Sequence, residues 1–169
     1  MLHLVKRFLA SLWPGGPGAD DEGWARAQLL EGEVALWDQL SGPDRRHAVG
    51  VARRVEAALG TDAVRPVLAA ALLHDVGKLS AGLGTFARVV ATLAGIVAGR
   101  ETAEAWSTTF GFTRRVGLYL RHAELGGELL TEAGSADVTV AWAREHHLPP
   151  QEWTVERRLA DALKAADDD

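Results

Sequence analysis

Apolar residues recur at the spacing of an α-helix along nearly all of the chain from Trp24 onward. A helix buries one face about every 3.6 residues, whereas a half-buried strand buries every second residue, so the spacing predicts an all-α fold. Alternation suited to a strand occurs only in DVTVAW at 137–142, which is too short to change this prediction. The predicted helices cover residues 24–40, 45–59, a segment that starts after 61–62, and then 85–98, 102–108, 112–133, 136–147 and 151–167.

Glycine, proline and small polar residues mark several of the predicted helix ends. The sequence SGPD at 41–44 ends one helix and places Pro43 near the first turn of the next, where proline is tolerated. Gly60 is predicted to stop that second helix. Thr61 is then the expected N-cap of the following helix, with Pro66 close to its start.

The N-terminal part of the chain differs in composition from the rest. Residues 1–13 have apolar positions at helical spacing and are predicted to form an amphipathic helix that packs on the domain or contacts a membrane surface or a protein partner. Residues 14–23 read PGGPGADDEG and are predicted to be a linker. Residues 24–169 are predicted to form one domain.

The composition excludes several classes of protein. The chain has no cysteine, so it forms no disulfide and no thiolate metal site. Its net charge of −5 argues against binding of extended nucleic acid. Lys6 and Arg7 interrupt the first apolar stretch, and the apolar run at 89–99 is shorter than the roughly 20 residues that cross a bilayer. These features predict a cytoplasmic protein with no transmembrane segment.

The sequence ALLHDVGKLSA at 71–81 leads an apolar helix directly into ionisable side chains, His74, Asp75 and Lys78. Burial of even a neutral polar group without a partner costs about 2–7 kcal/mol. These groups are therefore expected to be paired or to bind a ligand.

Most of the six histidines lie at inward positions of different predicted helices. His3 is interpreted as incidental. His47 shares a helix face with Val51 and Val55, which predicts that it points into the core. A single histidine on an apolar face is more often a hydrogen-bonded core residue than a ligand. Several together favour a metal site built from facing helices, and the candidate ligands are His47, His74, Asp75, His122, His146, His147 and Asp167.

Two of the candidate pairs, His74–Asp75 and His146–His147, are adjacent in sequence. Neighbours on a helix lie about 100° apart, so both members reach one point only at the shoulder between two faces. From that position, Asp75 can offer its two oxygens to two ions. A carboxylate bridge flanked by imidazoles suits a two-metal hydrolytic site.

In their order, these residues resemble the HD superfamily of metal-dependent phosphohydrolases, whose dinuclear members carry the pattern H…HD…H…HH…D. The resemblance covers residues 44–168 and implies the helical bundle of an HD domain. The predicted N-terminal helix would be an addition to that bundle. The chain is similar to stand-alone actinobacterial HD proteins. The chain reads HLPP after the double histidine, so the GYP signature of cyclic di-GMP phosphodiesterases is missing. The segments that carry the resemblance are DRRHAVGVARRV, AALLHDVGK, HAELGGELL, EHH and ALKAADD.

The resemblance implies two divalent ions, of iron, manganese, nickel or zinc, bridged by Asp75. One ion would take His47, His74 and Asp167 as its other ligands. The second ion would take His122, His146 and His147. Asp161 and Asp168 are rival candidates for the last ligand, although the AAD context favours Asp167.

The implied reaction is hydrolysis of a nucleotide or cyclic dinucleotide, in which a metal-bridged hydroxide attacks the phosphoester. Asp75 and Lys78 are the implied catalytic residues. Lys78 would contact the substrate phosphate, and Arg45, Arg46 and Arg144 are candidates to bind further phosphates or are solvated surface residues. The alternatives are a catalytically silent signalling or scaffold module and an HD-fold diiron oxygenase.

Overall fold

The computed structural model describes residues 15–84 and 102–168, together with positions 87, 90–92 and 94. The described residues form helices and no strand, which confirms the predicted all-α class. Residues 102–107 and the described positions within 87–94 are also helical. The labelled helices are α1 (Ala19–Ala27), α2 (Glu31–Trp37), α3 (Gly42–Leu59), α4 (Arg65–Leu73), α5 (Lys78–Ala81), α6 (Gly111–Leu120), α7 (His122–Glu132), α8 (Asp137–Glu145) and α9 (Arg157–Asp168).

Helix α4 lies at the centre of the bundle. Every residue from Val67 to Leu73 is buried, so this helix is apolar on all sides and needs neighbours on all sides. It packs against α3 and α8, while α9 packs on α3 and α7 packs on α8. Helices α5 and α6 pack on each other beside a second, smaller core around Val116.

The chain between residues 14 and 40 differs from the prediction. Helix α1 begins at Ala19, inside the predicted linker, and its acidic first turn is typical of a helix start. The helix predicted over 24–40 is two helices, because the backbone at Leu30 is extended. The Glu33 carboxylate accepts the Leu30 N–H at 2.8 Å, which caps the N-terminus of α2.

The predicted stop at Gly60 is confirmed, since Gly60 is the C-cap of α3 with a φ of 56°. The prediction of Thr61 as an N-cap is wrong. Residues Gly60–Asp62 form a 3₁₀ turn, and α4 starts later with Val64 as its N-cap and Pro66 in its first turn. Ser41 caps α3 as the SGPD sequence suggests.

Three further helix boundaries differ from the prediction. The helix predicted over 112–133 is interrupted at Arg121, where the backbone φ is −101° and ψ is 13° and the side chain donates to Ser107 and Glu124. The helix predicted over 136–147 ends at Glu145. Helix α9 begins at Arg157 rather than 151, because the Glu156 carboxylate accepts the next free N–H groups. The possible strand at 137–142 is helical.

Residues 1–13, with their predicted amphipathic helix and His3, lie outside the described residues, as does much of the predicted helix over 85–98. In the described part of the chain, no helix is both long and apolar enough to span a bilayer.

Candidate metal centre

His74 and Asp75 lie just past the end of α4 rather than at the shoulder of a helix, as the sequence had suggested. Helix α4 ends at Leu73, His74 is its C-cap, and residues 74–77 form a turn. His146 similarly is the C-cap of α8, with His147 in the turn that follows. A turn lets both members of each pair face one point, which a continuous helix allows only at its shoulder.

The five candidate histidines, predicted at inward or shoulder positions, differ in burial. His74, His122 and His146 are buried. His47 is half-buried, and His147 is exposed.

The first group of candidate ligands comes from three helices. His47 projects from α3, His74 ends α4, and Asp167 lies near the end of α9. Asp167 Oδ1 lies 3.2 Å from His47 Nε2 and 3.5 Å from His74 Nε2. Asp167 is buried, so the surrounding protein groups fix the position of its carboxylate.

The second group joins the start of α7 to the end of α8. His122 Nε2 lies 3.0 Å from His147 Nε2, and the rings of His146 and His147 are 3.9 Å apart. Ligand atoms of Asp75, His122, His146 and His147 all lie within 4.8 Å of one another. The same spacing holds for His47, His74 and Asp75.

Asp75 connects the two groups, with one carboxylate oxygen on each side. Oδ2 lies 3.4 Å from His74 Nε2. Oδ1 lies 3.4 Å from His122 Nε2 and 3.7 Å from His146 Nε2. A bridging carboxylate uses its oxygens in this way when it holds two cations.

The backbone orients three of the imidazoles in the same manner. Nδ1 of each ring lies within hydrogen-bond distance of the carbonyl oxygen three residues earlier, at 2.9 Å for His74, 2.6 Å for His122 and 3.0 Å for His146. A carbonyl only accepts, so each Nδ1 carries a proton, which leaves the Nε2 lone pair for a metal ion whenever the ring is neutral. Metal-binding histidines are commonly fixed through such a bond.

The buried Nε2 atoms of His74 and His146 have no hydrogen-bond partner among the described residues. Buried polar atoms are rarely left unpaired, because each costs about 1–3 kcal/mol. Both atoms point toward Asp75, and a divalent cation with nitrogen and oxygen ligands would satisfy them. The donor set therefore fits metal ions, as the sequence predicted.

Lys78 lies one turn from Asp75 and contacts Asp75 Oδ2. Burial disfavours the charged form of Asp75, yet the charges of Lys78 and His74 keep the pKa of this carboxyl well below its usual range. Burial also acts on His74, but the carboxylates of Asp75 and Asp167 raise the pKa of His74 to about 10. This side of the site therefore places the positive charges of Lys78 and His74 next to the negative charges of Asp75 and Asp167.

The second group has the opposite electrostatic character. Desolvation of the His147 ring lowers its pKa to about 3, and charge on His146 and His122 acts in the same direction, although the residue as a whole is exposed. Burial likewise lowers the pKa of His146, despite the nearby Asp75 carboxylate. Neutral imidazoles are the form that binds metal ions.

The glycine of the HDVGK sequence lets the two groups approach. A Cβ at Gly77 would lie 1.8 Å from the His122 carbonyl oxygen and 2.6 Å from the Gly126 nitrogen. The turn after α4 and the start of α7 are therefore in direct backbone contact. Only glycine allows this contact, which sets the distance between Asp75 and His122.

The structure brings Asp167 to the cluster and neither of its rivals. Asp161 is exposed and pairs with Arg157 at 2.8 Å. Asp168 is exposed and pairs with Lys164 at 2.7 Å.

The candidate phosphate-binding arginines have described contacts away from the ligand groups. Arg45 pairs with Glu22 at 3.2 Å, and Arg46 donates to the Gly15 carbonyl. The Arg144 side chain lies against Gly127 and lines a cavity of about 390 Å³ whose lining includes none of the candidate ligands.

Sequence reasoning missed Glu145 and Trp153, which contact the turn that carries the double histidine. Glu145 precedes that pair directly and is buried, so an acidic residue at an inward helix position was the available signal. No comparable sequence signal marks Trp153 among the six tryptophans.

Comparison of this chain with protein-family models, with curated proteins and with solved structures finds no match.

Proposed function

We propose that this protein is a metal-dependent phosphohydrolase of the HD superfamily type, which acts on a small phosphorylated substrate, a nucleotide or cyclic dinucleotide, in the cytoplasm. The observation that carries the proposal is the placement of Asp75. One of its oxygens faces His74, and the other faces His122 and His146. This arrangement suits a pair of divalent ions of iron, manganese, nickel or zinc.

Two ions bound there would supply Lewis acidity and a water of lowered pKa for attack on a phosphoester. The residues themselves have separable tasks in the proposal. His47 and Asp167 complete the ligands on one side of Asp75, and His122 and His147 complete those on the other. The buried backbone carbonyls hold the rings so that binding requires little rearrangement.

Lys78 is the proposed contact for the substrate phosphate. Its ammonium group already lies against Asp75, so a phosphate bound beside the bridging carboxylate would be within reach of the same cation. A fixed positive charge near the phosphoryl oxygens stabilises the charge that develops there in the transition state. Burial opposes the charge on Lys78, but Asp75 raises its pKa above the ordinary value and keeps it protonated.

The proposal is tested by elemental analysis of metal content, followed by hydrolysis assays with the chromogenic diester bis(p-nitrophenyl) phosphate and a panel of nucleotides. We expect about two ions per chain in the wild-type protein, p-nitrophenol and p-nitrophenyl phosphate from the chromogenic diester, and phosphate or nucleoside monophosphate from the nucleotides. Asp75→Ala should lose both the ions and the hydrolysis. Asp161→Asn is the matched control, because Asp161 is an exposed aspartate on α9 that pairs only with Arg157 among its described contacts.

Each other outcome points to one alternative. Protein that binds no ion under anaerobic loading with iron, manganese, nickel or zinc would contradict the proposal and favour a silent signalling or scaffold module. Two irons with oxygen uptake and no phosphate release would favour the diiron oxygenase.

A further inference from the structure

A short segment after α8 contacts the double-histidine turn from outside the ligand groups. We call residues 153–155 the strap. The indole N–H of Trp153 lies 3.1 Å from the Glu145 carbonyl oxygen and 3.0 Å from the Leu148 carbonyl oxygen. These carbonyls flank His146 and His147 in sequence, so one donor holds both ends of the turn.

The side chain of Glu145 binds the rest of the strap. Glu145 Oε2 accepts the Thr154 N–H at 2.7 Å and the Val155 N–H at 3.3 Å. Glu145 Oε1 accepts the Thr154 hydroxyl at 2.5 Å. The carboxylate is buried, and hydrogen bonds to an ionised acceptor are among the stronger ones. The strap and the end of α8 are therefore joined through both the backbone and the side chain of one residue.

Neither Glu145 nor Trp153 belongs to the described groups of candidate ligands. Trp153 also packs edge-on against Trp142, with ring centroids 5.6 Å apart, and Trp142 lies on α8 one turn before His146. The strap is thus anchored to the same helix that presents the double histidine. Contacts of this kind fix a ligand's direction without touching the metal.

We propose that Glu145 and Trp153 are positioning residues that set the affinity for the ion held by Asp75, His122, His146 and His147. The inference depends on the proposed function in one respect, since it requires that the site binds metal ions. The strap contacts the end of α8 and the turn after it, so its effect falls mainly on the ion that the double histidine would hold.

Titration of metal-free protein with Co²⁺, followed by calorimetry and by the visible absorption of the bound ion, tests this proposal. In Glu145→Ala we expect one ion to bind about 10- to 100-fold more weakly, the usual effect of removing a residue that orients a metal ligand. The affinity for the other ion, which shares only Asp75 with the first, should change much less. Trp153→Phe, which keeps an aromatic ring but removes the N–H donor, should shift affinity for the same ion in the same direction.

Glu145→Gln should restore most of the affinity. Its amide oxygen can accept the strap N–H groups, and its amide NH₂ can donate to the Thr154 hydroxyl, which also accepts. Thr139→Val is the matched structural control, since buried Thr139 donates to the Pro66 carbonyl at 3.0 Å from the other end of α8. It should lower the melting temperature and leave both Co²⁺ affinities unchanged.

Two unchanged affinities in Glu145→Ala, or an equal loss in Thr139→Val, would overturn the positioning role while the proposed function stands. Wild-type protein that binds no Co²⁺ would overturn both. The two failures are therefore distinguishable.

Discussion

The turn at residues 74–77 and the turn at residues 146–148 both follow a packed helix and both present candidate metal ligands, but different interactions hold them. The first turn continues α4, whose last residue Leu73 is fully buried, and Gly77 presses it against the backbone of His122. The second turn is held by the strap, through hydrogen bonds to Glu145 and from the Trp153 indole.

This difference indicates that the two halves of one site depend on different physical terms. The position of His74 and Asp75 depends on apolar burial and close backbone packing, which respond to changes in volume. The position of His146 and His147 depends on directed polar contacts, which respond to the loss of single donors or acceptors. A substitution that changes buried volume should therefore affect the first turn, and one that removes a single donor or acceptor should affect the second.

The largest effect is expected from Leu73→Ala, which removes apolar volume beneath the first turn. Truncation of a fully buried leucine costs about 2–5 kcal/mol in the free energy of unfolding. Urea denaturation measures that cost, and Val64→Ala is the control, because Val64 precedes the same helix and is 53% exposed. Equal losses in the two variants would show that burial does not hold the first turn.

A smaller but still large effect is expected from Gly77→Ala. The added methyl group would collide with the His122 carbonyl oxygen, and an overpacked contact costs about 1–3 kcal/mol. Gly23→Ala should instead stabilise the protein by about 0.5–1 kcal/mol, since Gly23 is exposed within α1 and has nothing within 4 Å of its would-be Cβ. Thermal unfolding of both variants decides the sign of each change.

For the second turn, Thr154→Val should cost about 1 kcal/mol by removing the hydroxyl that donates to Glu145. Thr108→Val removes a hydroxyl that donates to the Ala105 carbonyl at an exposed position and should cost less. Denaturant titration in the presence of chelator isolates this structural effect from metal binding. A larger cost for Thr108→Val would mean that the strap contributes little to the fold.

The two turns should also differ in the pH dependence of chelator-treated protein, with opposite signs. The pKa of His74 is raised to about 10, so its contribution to stability is complete below its ordinary value of 6.5 and is lost as the pH rises toward 10. The pKa of His147 is lowered to about 3, so its neutral form contributes above 6.5, and that contribution is lost as the pH falls toward 3.

Unfolding free energies of the metal-free protein across that range, compared between wild-type and His74→Gln or His147→Gln, separate the two contributions. His74→Gln should flatten the alkaline side, and His147→Gln the acidic side. Unchanged profiles in both variants would contradict the assigned directions.

Sequence reasoning predicted the helical class and a set of residues that the fold brings together, since apolar periodicity reports directly on burial. It placed the paired ligands at helix shoulders, because neither Leu73 nor Glu145 is followed by a glycine or proline that would mark the helix end. The break at Arg121 likewise has no glycine or proline beside it, and the Arg121 side chain donates to Ser107, which is distant in sequence.

The strap was missed for a similar reason. Residues 151–156 continue a plausible helical pattern, but their course is irregular, and Thr154 and Val155 donate to the Glu145 carboxylate instead of forming helical hydrogen bonds. Those contacts outweigh local propensity, which is a weak preference wherever buried polar partners are available.

The C-terminal ends of three helices meet at the candidate metal centre. Helices α4 and α8 end at the ligand turns, and Asp167 lies in the last turn of α9, so three C-terminal helix ends converge on Asp75 and its neighbours. Each such end carries about half a negative elementary charge and favours a nearby cation by about 0.3–1 kcal/mol. The N-terminal end of α7 at His122 opposes them with one positive end, so the backbone carries a net negative charge here and favours a cation before any side-chain charge is counted.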